Sequence, residues 1–164
     1  MVGSGGRENS LGWALARCPG VEAVWIAPGN GGTAEIPGCS QLEIAESDHG
    51  GLLAACRDHA VELVVVGPEA PLAAGLADRL REAGFPVFGP GADGAQLEAS
   101  KQWAKALMLE VGIPTAGYWS ASSREEALEV LAAAGRPLVV KADGLAAGKG
   151  VTVAASLEEA RTAI

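Results

Sequence analysis

Two glycine-rich stretches of this sequence contain the residue types that bind phosphate groups: GSGGRE at positions 3–8 and ADGLAAGKG at positions 142–150. The first is a glycine-rich turn that leads into a predicted helix, where backbone N–H groups point outward and favour an anion. Arg7 adds a forked cation that matches a phosphate monoester. The spacing alone is equally consistent with a tight turn that binds no ligand and an Arg7 side chain that is only solvated. The first stretch is therefore a candidate phosphate site at the start of a helix.

The first stretch does not match the dinucleotide-binding fingerprint G-x-G-x-x-G. Gly3 and Gly5 fit, but Glu8 occupies the position of the third glycine. A nicotinamide-binding fold also has an acidic residue near the end of its second strand, where this chain has Pro28-Gly29-Asn30. The two departures together argue against a nicotinamide or flavin oxidoreductase.

The second stretch is similar to a P-loop but differs from it in spacing. Three residues separate Gly144 from Gly148, where a P-loop has four, and Gly150 rather than Ser or Thr follows Lys149. The stretch also joins two predicted strands, with no helix on its far side. We therefore predict a flap that closes over the phosphates of a nucleotide.

Lys141 ends the apolar segment PLVVK, which we predict to be a strand. An ammonium group that is buried without a partner is unfavourable, so Lys141 requires an anion. A nucleotide phosphate is the partner that fits a flap, and Asp143 is a local structural alternative.

Apolar runs bounded by glycine and proline alternate with helical patterns, which predicts right-handed β-α-β crossovers and a mainly parallel sheet. The predicted strands are 21–27, 41–45, 63–66, 85–88, 116–119, 137–142 and 151–155. The predicted helices are 11–16, 48–59, 71–84, 96–111, 122–134 and one that starts after 156. Ser122 with Glu125, and Ser156 with Glu159, form predicted capping boxes.

The two ends of the sequence interrupt this pattern. Only Met1 and Val2 precede Gly3, which leaves the first strand short, and the last predicted helix is cut at Ile164. We expect a truncated first strand and a chain that is incomplete at both ends, although a native two-residue strand is an alternative.

The composition excludes several classes of protein. Hydrophobic residues make up 49% and charged residues 20% of the 164 residues, which is too apolar for a disordered chain. The net charge of −8 argues against a nucleic-acid or anionic-membrane surface. Cys18, Cys39 and Cys56 have no C-x-x-C spacing, which indicates free thiols in a reducing compartment. No apolar stretch approaches the roughly 20 residues of a membrane span, so we expect a cytoplasmic protein.

Six motifs, taken in order, resemble the glycinamide ribonucleotide synthetase (phosphoribosylamine–glycine ligase) family of the ATP-grasp superfamily. They are GSGGRE, APGNGGT, VVGPEAPL, FGPGADGAQLEASKQWAKALM, IPTAGY and VVKADGLAAGKGV, and they extend over essentially the whole chain. The family usually reads GGREHA at the first motif, whereas Asn9 and Ser10 follow Glu8 here. If the family's His contacts substrate, that contact is altered in this chain.

The resemblance implies a fold and two domains. The fold is α/β: an N-terminal, mainly parallel open sheet with flanking helices, Rossmann-like, followed by the start of an ATP-grasp domain and its lid. Residues 1–97 would form a phosphoribosylamine-binding domain, and residues 98–164 the incomplete beginning of the ATP-grasp domain.

The resemblance also implies a reaction. The family uses ATP, with Mg²⁺ or Mn²⁺, to convert the glycine carboxylate to an acyl phosphate, which the nitrogen of 5-phosphoribosylamine attacks. The metal ligands and the catalytic core would lie beyond these residues, so we expect the fragment to be inactive alone. Its partners would be small molecules, without nucleic acid or membrane, and the enzyme a monomer. Another ATP-grasp ligase or carboxylase, or a non-catalytic phosphosugar-binding module, is the alternative.

By the family pattern, Gly6 and Arg7 would hold the 5-phosphate and Glu69 the ribose hydroxyls. Asn30 and Thr33 would line the same crevice. The residues implied in ATP binding are Lys101, Lys141, Ala146, Ala147, Gly148, Lys149 and Gly150. Three further residues are expected to lie outside the sites: Lys105 as a solvated helix residue, and His49 and His59 as structural or solvated side chains.

Overall fold

The computed structural model describes residues 1–146 and 148–164, and the chain divides into two compact units, residues 1–95 and residues 96–164. Each unit combines helices with a β-sheet. The fold is α/β, as the alternation of apolar runs predicts.

The first unit is built on parallel strands. They are β1 (Val2–Gly3), β2 (Val24–Pro28), β3 (Cys39–Gln41), β4 (Val64–Val65) and β5 (Val87–Phe88). β2 lies between β1 and β3, and β4 pairs with β5. A parallel bridge between Val2 and Val66 joins the two groups, which gives the order β3-β2-β1-β4-β5. The short β1 is therefore held on both sides, and the predicted parallel sheet is confirmed.

Helices connect these strands. They are α1 (Gly6–Leu15), α2 (His49–Asp58), α3 (Glu69–Ala73) and α4 (Leu76–Glu82), with a 3₁₀ turn at Thr33–Glu35; α5 (Ala92–Ala99) follows β5 and contains the boundary between the two units. The Asp48 side chain accepts a hydrogen bond from Gly51 N and caps α2, as its type predicts. The single helix predicted for 71–84 is wrong: Gly75, at φ +81°, separates α3 from α4. A left-handed residue ends the regular helical hydrogen bonding, and glycine adopts that conformation without strain.

The core of the first unit lies between the sheet and its helices. Leu76 and Leu80 of α4 are 0% and 1% exposed and pack with buried valines of the strands. Burying each such leucine stabilises the fold by about 1.5–3 kcal/mol. His59 stacks on Trp25 with ring centroids 3.9 Å apart, so the expected structural role of His59 is confirmed.

The second unit contains an antiparallel hairpin and three further helices. They are α6 (Lys101–Glu110), α7 (Arg124–Ala134), β6 (Val139–Lys141), β7 (Val151–Val153) and α8 (Leu157–Ala163). The register of the hairpin pairs Val140 with Thr152. Leu131 of α7 and Ala160 of α8 are 2% and 0% exposed and form the interior of this unit. The segment between β6 and β7 is the predicted flap.

Several boundaries in the second unit differ from the sequence-based expectation. The helix predicted for 96–111 is divided at Ser100, whose backbone is extended and whose hydroxyl caps α6 by accepting from Trp103 N. Ser123 caps α7 by accepting a hydrogen bond from Glu126 N. The cap and its partner each lie one residue later than the predicted pair, Ser122 and Glu125. The cap at Ser156 is confirmed, since its hydroxyl accepts from Glu159 N, but the Glu159 carboxylate accepts from Ala155 N rather than from the backbone of Ser156.

The segment predicted as a strand at 116–119 is irregular. Lys105 Nζ donates to Thr115 Oγ1 at 2.6 Å and to the carbonyl oxygen of Ala116 at 2.7 Å, and it lies over the Tyr118 ring. The expectation that Lys105 is solvated is therefore wrong. Its ammonium therefore connects this segment to α6.

None of the helices in the described part of the chain is long and apolar enough to cross a membrane.

Candidate functional site

Arg7 lies at the start of α1 and connects the loops that follow β1 and β4. Its Nε donates to Glu8 Oε1 at 2.7 Å, its Nη2 to the carbonyl oxygen of Gly67 at 2.7 Å, and its Nη1 to Glu69 Oε1 at 3.2 Å. Three of the five N–H groups of the guanidinium are thus used. The side chain remains 54% exposed, so two N–H groups are left for an anion from solvent.

Glu69 begins α3, which follows β4 in the chain. A hydrogen bond from its own backbone N–H, and then its bond from Arg7, lower the pKa of this carboxyl. The bonds to Glu8 and then to Glu69 raise the pKa of the Arg7 guanidinium. Both groups are therefore charged at neutral pH. They meet at the carboxyl ends of neighbouring strands, where open α/β sheets bind ligands.

Gly6 is the first residue of α1, and the space where its side chain would be is open. The first N–H groups of an α-helix have no acceptor within the helix, and the helix dipole places partial positive charge there. An anion can approach this helix end closely, next to the guanidinium of Arg7.

Asn30 and Thr33 lie in the segment that follows β2, and they support the first loop. Asn30 Nδ2 donates to the carbonyl oxygen of Ser4 at 2.9 Å, and Asn30 N donates to Thr33 Oγ1 at 2.9 Å. The Thr33 hydroxyl donates in turn to Asn9 Oδ1 at 3.1 Å. Thr33 is 0% exposed, so it holds the loop and does not line an open crevice. Asn9, where the family usually has His, takes part in this network.

In the second unit, the base of the flap lies against the start of α6. Asp143 Oδ1 accepts from Lys101 N at 2.6 Å, and Asp143 Oδ2 accepts from Ser100 Oγ at 3.0 Å. Lys101 Nζ donates to the carbonyl oxygen of Gly144 at 2.8 Å. The structure therefore brings Lys101, predicted from a distant helix, next to the flap. Asp143 caps α6, and the alternative in which it serves as the local partner of Lys141 is wrong.

Lys141, at the end of β6, is exposed. Its ammonium thus needs no protein partner to offset burial, contrary to the premise of the sequence argument. Lys149 is exposed on the flap, where Lys149 N donates to the carbonyl oxygen of Ala146 at 2.8 Å. Ala142 N closes the flap base by donating to the carbonyl oxygen of Gly150 at 2.8 Å. The remaining predicted residues of the flap are Gly148, at φ +77°, and Ala147, which lies outside the described residues.

Three lysines therefore lie on the flap or contact it: Lys101 through the carbonyl oxygen of Gly144, and Lys141 and Lys149 by their positions in the chain. The described residues contain no group of three or more His, Cys, Asp or Glu side chains that could hold a metal ion. No metal ligand is therefore assigned in residues 1–146 and 148–164.

Sequence reasoning missed the roles of two residues of these sites, Glu8 and Asp143. One feature of the sequence sets Glu8 apart: it occupies the position of the third glycine in the dinucleotide-binding fingerprint. For Asp143, the sequence shows only that it lies between Lys141 and the flap glycines. Nothing in the sequence indicates that it contacts α6, more than 40 residues earlier.

Asp143→Ala is expected to lower the free energy of unfolding at pH 7 by about 0.5–1 kcal/mol, because α6 loses the acceptor at its first turn. Solvent screening of the exposed carboxylate keeps this value small. Desolvation raises the pKa of Asp143, but bonds from Ser100 and from backbone N–H groups outweigh it and leave the pKa lowered.

A carboxylate whose pKa is lowered by folding stabilises the fold above its unfolded pKa, and this contribution disappears as pH falls through the folded pKa. Urea denaturation of parent and variant should show a difference that shrinks between pH 7 and pH 3. Glu62→Ala, the same charge change on an exposed loop, is the control. Equal stabilities of parent and Asp143→Ala at pH 7 would contradict the capping role.

Comparison with solved structures defines the class of protein. The biotin carboxylase domain of 2-oxoglutarate carboxylase from Hydrogenobacter thermophilus matches with a TM-score of 0.70 and 17% identity, over 97% of this chain and 38% of that chain. Phosphoribosylamine–glycine ligase from Thermotoga maritima matches with a TM-score of 0.76 and 35% identity, over 98% of this chain and 37% of that chain. The fold is that of the N-terminal part of ATP-grasp proteins.

The family follows from the sequence matches. Residues 1–98 match the family model for the N domain of phosphoribosylglycinamide synthetase, and residues 99–164 match the model for its ATP-grasp (A) domain. The chain belongs to this family. It is 52% identical to the phosphoribosylamine–glycine ligase of Nostoc sp. and 51% identical to that of Vibrio parahaemolyticus, over its whole length. It spans 39% and 38% of these relatives.

Proposed function

We propose that this chain is part of an ATP-dependent ligase that joins 5-phosphoribosylamine to glycine, forming glycinamide ribonucleotide in de novo purine biosynthesis. The observation that carries the proposal is the contact of Arg7 with Glu69, 62 residues apart, at the carboxyl ends of neighbouring strands in a chain of this family. The Arg7 guanidinium can bind a phosphate, and the neighbouring Glu69 carboxylate can bind two vicinal hydroxyls. Together they fit a phosphorylated sugar.

Each side chain of the first unit has a distinct role in this proposal. Gly6 and Arg7 bind the 5-phosphate through helix N–H groups and the outer edge of the guanidinium. Glu69 accepts hydrogen bonds from the vicinal ribose hydroxyls, for which an ionised carboxylate is the suitable acceptor. Asn30 and Thr33 keep the loop in place. Residues 1–97 thus act as the phosphoribosylamine-binding domain.

Residues 98–164 act as the beginning of the ATP-grasp domain and its lid. The γ-phosphoryl group of ATP would pass to the glycine carboxylate with release of ADP, and the ribosylamine nitrogen would then displace phosphate from the acyl phosphate. Mg²⁺ or Mn²⁺ would neutralise charge on the nucleotide. Lys101, Lys141 and Lys149 neutralise phosphate charge and orient the nucleotide, with the flap backbone at Ala146, Gly148 and Gly150 close to it. The protein contributes placement and charge neutralisation, which are large terms in such transfers.

The proposal extends to the cellular setting. The enzyme acts on small molecules in the cytoplasm, as a monomer. The three cysteines are free thiols, which supports a reducing compartment.

The test is a substrate-omission assay on the full-length ligase that carries these residues. ADP formation should require both glycine and phosphoribosylamine, and mass spectrometry should identify glycinamide ribonucleotide. ADP formation driven by bicarbonate, with glycine inactive, would identify a carboxylase. Binding of the phosphosugar in a calorimeter, with no ADP formed under any condition, would identify a non-catalytic binding module.

A further inference from the structure

Glu8 is a buried carboxylate to which the roles above assign no part. The residue is 4% exposed. Its Oε2 accepts from Gly5 N at 2.9 Å, and its Oε1 accepts from Arg7 Nε at 2.7 Å. One oxygen therefore holds the glycine loop and the other holds the guanidinium.

Three glycines make room for this carboxylate. A Cβ at Gly3 would overlap Cγ of Glu8, and a Cβ at Gly67 would overlap its Oε1. A Cβ at Gly5 would come within 2.6 Å of Oε2. Two loops, one after β1 and one after β4, thus close around a single side chain. The glycines at 3 and 5 accommodate Glu8, which leaves Gly6 as the open approach for a ligand.

The contacts of Arg7 fix its orientation before any ligand binds. An arginine side chain loses rotamer freedom when it is immobilised, which weakens binding if the loss occurs with the ligand. Glu8 holds Nε and the carbonyl oxygen of Gly67 holds Nη2. A buried carboxylate also requires a compensating cation. The charge of Glu8 therefore specifies where the guanidinium lies.

We propose that Glu8 is a positioning residue for the 5-phosphate site, where its carboxylate aligns the Arg7 guanidinium and the Gly5 loop for the incoming phosphate. Glu8 acts through Arg7 and does not itself touch substrate. The proposal rests on the proposed function of this chain as part of a phosphoribosylamine ligase.

Glu8→Gln in the full-length ligase separates positioning from a purely structural role. The amide oxygen of Gln can still accept from Gly5 N and preserve the loop, but its NH₂ group would face the Nε–H of Arg7, donor against donor. We expect the KM for phosphoribosylamine to rise about five- to twentyfold, because the misaligned guanidinium keeps part of a charge-assisted bond worth about 1.5–3 kcal/mol. The KM for ATP and the KM for glycine should stay near the parent values when measured well below the melting temperature of the variant.

Glu46→Gln is the matched control. Glu46 Oε1 accepts a hydrogen bond at 2.9 Å from Oγ of Ser4, which lies in the same glycine loop as Gly5. Among the described residues, Glu46 has no hydrogen bond or ion pair with Arg7. Its neutralisation should leave all three KM values unchanged. In an Arg7→Ala background, Glu8→Gln should raise the phosphoribosylamine KM no further, because the two residues act as one unit. A full additional rise in that background, or equal rises for ATP and glycine, would overturn the proposal.

A measurement on the parent protein distinguishes failure of this inference from failure of the proposed function. The Arg7 Nε–H should give a ¹⁵N-detected NMR signal that exchanges slowly with water in the absence of ligand. Fast exchange would overturn the positioning role even if the ligase is active, and it also decides the matter if Glu8→Gln does not fold. A parent that shows slow exchange but forms no glycinamide ribonucleotide would refute the proposed function and the substrate role of Glu8 with it.

Discussion

Arg7→Ala in the full-length ligase is expected to raise the KM for phosphoribosylamine by about tenfold to over a hundredfold and to leave the KM for ATP nearly unchanged. Loss of a charge-assisted hydrogen bond costs about 1.5–3 kcal/mol, which corresponds to this range of affinity. The two substrates respond differently because Arg7 belongs to the first unit, whereas the proposed ATP residues belong to the second.

The structure adds a second expected effect of this substitution. Without the guanidinium, the buried carboxylate of Glu8 keeps only its bond from Gly5 N. A buried charge that loses its partner destabilises the fold, so the melting temperature of Arg7→Ala should fall below that of the parent. Kinetics should be measured well below the melting temperature of the variant, so that unfolding does not enter the KM.

Arg57→Ala provides the control for this experiment. Arg57 is an exposed residue near the end of α2, so its removal makes the same change in net charge without touching the candidate site. It should leave both KM values unchanged. An equal rise in the KM for ATP in Arg7→Ala, or no rise for phosphoribosylamine, would count against the assignment of the 5-phosphate site.

The sequence predicts those elements whose cause is local. The apolar run of β2 and the start of α2 after Asp48 lie close to the predicted places because each depends on a few neighbouring residues. The break at Gly75 was missed because its neighbours all favour helix, and an isolated glycine in such a pattern is tolerated in most helices. The division at Ser100 has a similar origin: a serine within a helical pattern caps a new helix only when its hydroxyl meets an N–H group.

The candidate site divides in the same way. Arg7 and Glu69 could be named from their motifs and from the family resemblance, but their direct contact depends on the adjacency of β1 and β4, which is a property of the sheet. Glu8 could not be assigned for the same reason, since its partner glycine at position 67 comes from the other loop. The sequence shows the residue types, but it does not show which residues from distant parts of the chain come into contact.

Lys141 illustrates how burial changes an argument made from residue type. An apolar strand that ends in lysine suggested a buried ammonium, but β6 lies in a hairpin whose Val139 and Val153 are 49% and 74% exposed. The valine side chains of β6 are therefore apolar, but they are not buried by other described residues. The expected phosphate contact of Lys141 then rests on its position at the flap, and the expected effect of its removal on stability changes accordingly.

Lys141→Met should leave the melting temperature of the ligand-free ligase unchanged, because the exposed ammonium contributes little to stability. ATP affinity should fall at least tenfold, since the phosphates lose a charge-assisted partner worth about 1.5–3 kcal/mol. Ligand binding stabilises a protein by mass action, so the rise in melting temperature produced by a fixed concentration of ATP should be smaller in the variant than in the parent.

Lys105→Met should give the opposite pattern and serves as the control. Lys105 lies one turn after Lys101 and holds Thr115 and Ala116 through its ammonium, so its loss should lower the melting temperature without ligand. The shift produced by ATP should remain as large as in the parent, because this ammonium is engaged with the protein. Thermal scans of the two variants, each with and without ATP, therefore separate a nucleotide contact from a structural one. If Lys141→Met melts lower than the parent yet keeps the full ATP-induced shift, Lys141 is a structural residue and the assignment of the flap as the phosphate site loses its main cation.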